Sequence, residues 1–280
     1  MNNTKEEETF SFQGEQFADI QMLHYRLPEF ETLSLRQKKL IYSLSQATLF
    51  GRDITFDQFG KYNLRIRKTL EAVYKHYQGE STDYEFQALG EYLKQVWFAS
   101  GIHHHYACDK FIPSFTEQFF RDAVLSVDKK QLPLRENEDV NELLNELCPV
   151  IFDPTIHPKR VNKADGVDLI CTSACNYYEG VNQQEVENYY AKMKAEGPDS
   201  EQPSYGLNST LIKKGNSVRE DVWKADGKYG AAIKQIIVWL ERAKAFTENE
   251  QQHKVISLLI KYYETGDLRD FDRYSIEWLH

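Results

Sequence analysis

A chain of 280 residues, 41% hydrophobic and 28% charged, is long enough to bury the core of one large domain or two small ones. Its formal net charge of -9 argues against general nucleic-acid binding, because holding phosphates requires a basic face. No apolar run approaches the roughly 20 residues that span a bilayer, so no membrane partner is expected either.

The first 14 residues are polar and acidic and read as a disordered lead, not a signal peptide. Four cysteines (Cys108, Cys148, Cys171 and Cys175) are too few for a disulfide framework, so a reducing, cytoplasmic setting is expected. Aromatic residues are plentiful, with 17 Tyr and 16 Phe, and tyrosine suits half-wet clefts and interfaces.

An irregular apolar segment containing Pro28 runs from Phe17 to Phe30. Ser34 then caps a helix whose apolar face is Leu35, Leu40, Ile41, Leu44 and Ala47, and Gly51 is expected to end it. After a turn at Asp57 to Gly60, a second helix carries Leu64, Ile66, Leu70 and Val73 and stops at Gly79. Ser81 or Thr82 caps a third helix, which delivers Val96 and Trp97 to a C-cap at Gly101. Ser114 and Glu117 read as a capping box for a fourth helix, and a fifth spans about 138 to 148.

Pro149, Pro154 and Pro158 then break helices. Val167 to Thr172 has the β-branched bias of a strand. Asn182 and Glu185 make a capping box for a helix reaching about Ala195, followed by a loop at Gly197 to Ser200. Leu207 to Lys213 and Ser217 to Trp223 form two strands around Lys214-Gly215-Asn216. Helices return with Ala231 to Phe246, with a segment capped by Thr247 and Glu250 and ended by Gly266, and with one from Leu268 still running at His280. The pattern gives an α+β, predominantly helical fold: helical over 15–148, mixed over 149–229 and helical over 230–280.

Local chemistry is most concentrated at His103-His104-His105, between Gly101 and Pro113. Three adjacent imidazoles cannot converge on one ion in a relaxed loop, and no second ligand pair follows at zinc spacing. A polar loop lining a cleft is the better reading, with His103, His104, His105, Tyr106 and Lys110 as its candidates. Cys171 and Cys175, with Cys148 and His157, can be drawn as a quartet, but buried free thiols are commoner. Asp267, Asp270 and Asp272 suit the positive end of the last helix. Lys38-Lys39 and Arg65 to Lys68 read as solvated helix faces. No catalytic triad, phosphate loop or dinucleotide fingerprint is present.

Several stretches in order resemble the dipeptidyl peptidase III family, its bacterial members especially. They are Tyr62-Asn-Leu-Arg-Ile-Arg67, Val96-Trp-Phe-Ala-Ser-Gly-Ile-His-His-His-Tyr106 and Lys110-Phe-Ile-Pro113, then Tyr229-Gly-Ala-Ala-Ile-Lys-Gln-Ile-Ile-Val-Trp-Leu-Glu-Arg-Ala-Lys244 and Tyr262-Tyr-Glu-Thr-Gly-Asp-Leu268. The resemblance runs from about Phe17 to His280. It implies a two-lobed zinc exopeptidase that removes dipeptides from peptide N-termini. This chain would be the N-terminal part of the lower lobe, where helices surround a small β-barrel.

The family's HExxGH and EExRAD-type segments, which hold zinc and its catalytic Glu, are absent from these 280 residues. No catalytic or metal residue carries over. Zinc is expected in the full-length family enzyme and not in this chain, which alone is expected to be inactive. Its partners would be a peptide substrate, through the other lobe, and a second copy, through the surface that lobe would cover. The alternative is a non-catalytic helical interaction module.

Overall fold

The computed structural model describes residues 10–197 and 202–280. About 53% of the chain is helical and the sheets are small, which makes the fold α+β with helices predominant. No helix is long and apolar enough to cross a membrane among the described residues.

The chain opens with an antiparallel hairpin, β1 (Gln13–Phe17) and β2 (Ile20–Leu23). Gln13 and Gly14, read as part of a disordered lead, lie in β1, while residues 1–9 of that lead lie outside the described residues. Ala18, at φ 46°, makes the turn between the strands.

Helix α1 (Leu35–Phe59) starts at a capping box of Ser34 and Gln37 and passes straight through Gly51. A glycine costs a helix interior only about 1 kcal/mol, and burial of Phe56 beyond it outweighs that. Helix α2 (Asn63–His76) follows, then α3 (Tyr84–Ala99), which is capped by Asp83 and not by Ser81 or Thr82. Its left-handed C-terminal residue is Ser100, at φ 55°. The Gly101 amide then closes on Val96 O at 3.0 Å.

Helix α4 (Glu117–Ser126) is capped by Thr116, where the spacing suggested Ser114. The carboxylate that completes the cap comes from another helix: Glu85 of α3 accepts from both the Thr116 amide and hydroxyl, at 2.8 and 2.5 Å. Helix α5 (Val140–Phe152) begins at the Asp139/Glu142 box and contains Pro149 in its last turn. The expected break fails because Val150 and Ile151 are buried there, which offsets one lost hydrogen bond.

Val167 to Thr172 forms turns instead of a strand. The Asp168 carboxylate accepts from the amides of Ile170, Cys171 and Gln183 at 2.8–3.0 Å, so the backbone donors a strand would need are already taken. Strand β3 (Tyr178–Glu179) comes later, then α6 (Gln183–Glu196), with the expected Asn182/Glu185 box. Part of the loop read at Gly197 to Ser200 lies outside the described residues.

Strands β4 (Ser209–Lys214) and β5 (Ser217–Val222) pair antiparallel around Gly215, at φ 60°. β3 joins β4 in parallel, giving a three-stranded sheet. Among the described residues the strands close no barrel.

Helix α7 (Gly230–Lys244) packs along α1. Helix α8 (Glu250–Thr265) is capped by Asn249, because the Thr247 hydroxyl donates backwards to Lys244 O. Gly266 ends α8 at φ 68°, as read. Helix α9 (Leu268–Trp278) stops two residues before His280.

One core unites α2 to α5 around Leu70, Leu93, Phe120 and Leu147. A second lies between α1, α7 and α8 around Ala47, Leu240 and Ile260. A small third joins the sheet to α6 through Leu211 and Val186.

Candidate functional site

The histidine loop is a clasp between the end of α3 and the segment after α5. Backbone bonds run from Lys110 to Pro158 and from Arg160 to Cys108, at 3.1 and 2.8 Å. Within this clasp His103 is 2% exposed, and its Nε2 lies 2.8 Å from the His157 carbonyl, to which it donates. Burial lowers its pKa to about 4, so the ring is neutral at pH 7.

Lys110 also turns inward and donates to the carbonyls of Asp153 and Ile156, at 2.6 and 3.0 Å. Burial lowers its pKa to about 8. His104 uses both ring nitrogens: Nδ1 accepts from the amides of Tyr106 and Ala107, and Nε2 lies 3.3 Å from Asp19. His105 stacks on His104 and meets Phe98 edge-on, with centroids 4.4 and 4.9 Å apart. Tyr106 alone of the five candidates stands out into solvent, 85% exposed.

Among the described residues no three His, Cys, Asp or Glu side chains come together to hold an ion. Cys148 is buried in the core, its thiol pushed up to about 11 by burial, while Cys171 is exposed, so the drawn quartet does not assemble. Lys39 and Lys68 lie on solvated helix faces, as read, but Arg65 is half-buried between Glu138 and Glu146, and Arg67 is buried over the Phe56 ring at 4.6 Å, paired with Asp53 at 2.9 Å. Asp267 caps α9 and Asp270 lies in its first turn, as the charge pattern suggests, but Asp270 is 3% exposed and paired with Lys261 and Arg273.

The larger feature is a cleft of about 630 Å³ on the α1 side of the sheet, reaching α7, α8 and α9. Its aromatic lining comes in two sets of touching rings. Tyr177, Trp223 and Tyr229 make one, with centroids 5.7–5.8 Å apart. Tyr262, Tyr263 and Phe271 make the other, at 5.1–5.5 Å.

The first set is fixed by polar ties. Trp223 Nε1 donates to Thr210 Oγ1 at 3.1 Å, and Lys228 Nζ donates to the same hydroxyl at 3.0 Å. The Tyr229 phenol donates to Asp57, which also accepts from Asn176 at 3.2 Å and lies 3.7 Å from Lys228. Burial and this carboxylate together raise the Tyr229 pKa well above the ordinary tyrosine value.

Tyr229 holds a left-handed backbone at φ 63° as the N-cap of α7. For a bulky side chain this costs on the order of 1–3 kcal/mol and persists only where the surroundings enforce it. Little in the sequence marks this cleft: Asp57 reads as a turn residue and Trp223 as a strand end, and the one available signal is the density of Tyr and Trp at 177–178, 223, 229 and 262–263.

The arrangement is a helical scaffold carrying a tied aromatic cleft, and residues 176–280, which supply most of the cleft, match the family model of Peptidase family M49. Over those residues the chain is thus similar to the family of dipeptidyl peptidase III, the family its motifs resemble. No curated protein matches it. Among solved structures it is similar to the structure of DPP III from Caldithrix abyssi, with 15% identity and a TM-score of 0.48. The alignment covers 89% of this chain and 34% of that one, so the chain spans about a third of that protein's length.

Proposed function

We propose that this chain supplies the lower, non-zinc-binding lobe of a dipeptidyl peptidase III-like peptidase, the enzyme that releases dipeptides from peptide N-termini. The observation that carries the reading is the Peptidase family M49 match over 176–280, combined with the absence of HExxGH from the sequence. The side chains present do not fit a zinc ion, since no three potential ligands converge among the described residues. No chemical step is therefore assigned to this chain. Its part is to form one wall of the substrate cleft, with Tyr106 as the exposed member of the histidine loop, and to contribute strands to the lobe's barrel.

The test is an assay of the purified chain with a dipeptidyl-naphthylamide and added zinc. No release of naphthylamine is expected, and robust turnover would overturn the reading.

A second reading, a non-catalytic interaction module, is favoured by one observation. Ile276, Trp278 and Leu279 are 57, 68 and 84% exposed at the end of α9. They adjoin an apolar groove of about 450 Å³ between α1 and α8. Association that rises with concentration in light scattering supports this reading, and a monomer at all concentrations counts against it.

A further inference from the structure

The cleft between α1, the sheet and α7 to α9 has a lining that selects for one kind of guest. Among the described residues that line it, none carries a charge. Its volume, about 630 Å³, falls within the roughly 300–1,000 Å³ of small-molecule sites. The two sets of rings, Tyr177–Trp223–Tyr229 and Tyr262–Tyr263–Phe271, are separate from one another among the described residues. A planar ring entering the cleft would meet aromatic surface in its lining, in the offset or edge-on geometry such rings prefer.

We propose that this cleft is a binding site for an uncharged aromatic group bearing hydrogen-bond acceptors. The lining disfavours both kinds of ion. An anion would meet aromatic faces and no lining cation, since Lys228, outside the lining, is already engaged by Thr210 and Asp57. A cation would gain ring attraction but would shed water with no lining carboxylate to replace it. A neutral ring pays no such cost. Burial raises the pKa values of Tyr177, Tyr178 and Tyr263, so their phenols remain protonated donors for a guest's acceptors.

The site is also preformed. Trp223 and Tyr229 are held by Thr210 and Asp57, so binding need not order them. The strained backbone at Tyr229 places its ring in the cleft wall. The inference goes beyond the lobe assignment and does not depend on it, because it concerns binding by this chain without turnover.

The experiment is a titration of the full chain, labelled with 5-fluorotryptophan, with N-acetyl-L-tyrosinamide, read by fluorine NMR. The four tryptophans give separate signals, and a Trp223→Phe sample assigns the cleft signal. The expected result is a saturable shift of the Trp223 signal at millimolar probe, with Trp97, Trp239 and Trp278 unmoved. Tetramethylammonium and benzoate should act at least about tenfold more weakly, following the cost of burying an unpaired charge.

Two variants extend the test. Tyr262→Ala removes a ring and should weaken the probe about fivefold or more. Leu207→Glu places a charge at a half-exposed lining position, where the fold should tolerate it, and should weaken the probe similarly. The proposal is overturned if Trp223 shows no saturable shift, if all four tryptophans respond alike, or if tetramethylammonium binds more tightly than the tyrosinamide.

Discussion

The Tyr229 phenol donates to Asp57 Oδ2, joining residues 172 positions apart and tying the start of α7 to the end of α1. Asp57 holds Asn176 and Lys228 as well, so one carboxylate fastens α1 both to the segment before β3 and to the start of α7. A left-handed tyrosine persists at the start of α7 because this anchor fixes its far end.

Removing the phenol oxygen should therefore loosen that junction. Tyr229→Phe is expected to lower stability by about 1.5–3 kcal/mol, the usual range for a hydrogen bond to a charged group. A double-mutant cycle with Asp57→Asn in urea denaturation should return a coupling of about 1 kcal/mol or more. Strictly additive effects would show that the two side chains do not stabilise the fold through each other.

Two glycines should respond to alanine with opposite signs. A Cβ at Gly101 would lie 2.2 Å from Asn63 Nδ2, with the backbone at φ +158°. Asn63 is 1% exposed and cannot move aside, so Gly101→Ala should cost at least about 1–3 kcal/mol. At Gly51, inside α1, a Cβ would meet nothing within 4 Å. Gly51→Ala should stabilise by about 0.5–1 kcal/mol. Thermal unfolding of the two single variants decides both signs.

His103 makes the fold sensitive to acid. Its folded pKa, about 4, lies below the ordinary 6.5, with burial the main cause and Lys110 and Arg160 acting in the same direction. Above pH 6.5 the ring is neutral whether the chain is folded or not. Below it the unfolded chain takes up a proton that the folded chain refuses, so stability falls from pH 6.5 towards about 4. The loss between pH 7 and pH 5 is about 2 kcal/mol from this residue. His103→Gln should remove that part of the loss, and an unchanged pH profile would exclude His103 as its source.

Replacing Lys110 by Met should leave the carbonyls of Asp153 and Ile156 without their donor. The expected cost is about 1–3 kcal/mol in denaturant unfolding. Retention of full stability would mean that water takes over both carbonyls.

By itself, the sequence determined what short-range physics controls. Apolar spacing over three or four residues placed α1 to α9 near their observed positions, because side chains one turn apart share a face whatever lies elsewhere. The Asn182/Glu185 box and the turn at Gly215 were equally legible, since each closes within a few residues. The motifs around Tyr229 and Tyr262 also carried the family relationship.

Tertiary structure decided whatever required a distant partner. Thr116 caps α4 because Glu85 arrives from α3, and α1 survives Gly51 because its far turn is buried. His103 and Lys110 point inward because the carbonyls at 153–157 are brought to them. Asp57 is a junction and not merely a turn residue because Tyr229 is folded back against it. Hydrogen bonding and burial act over a few ångströms, and no local pattern records which of 280 residues will come within that reach.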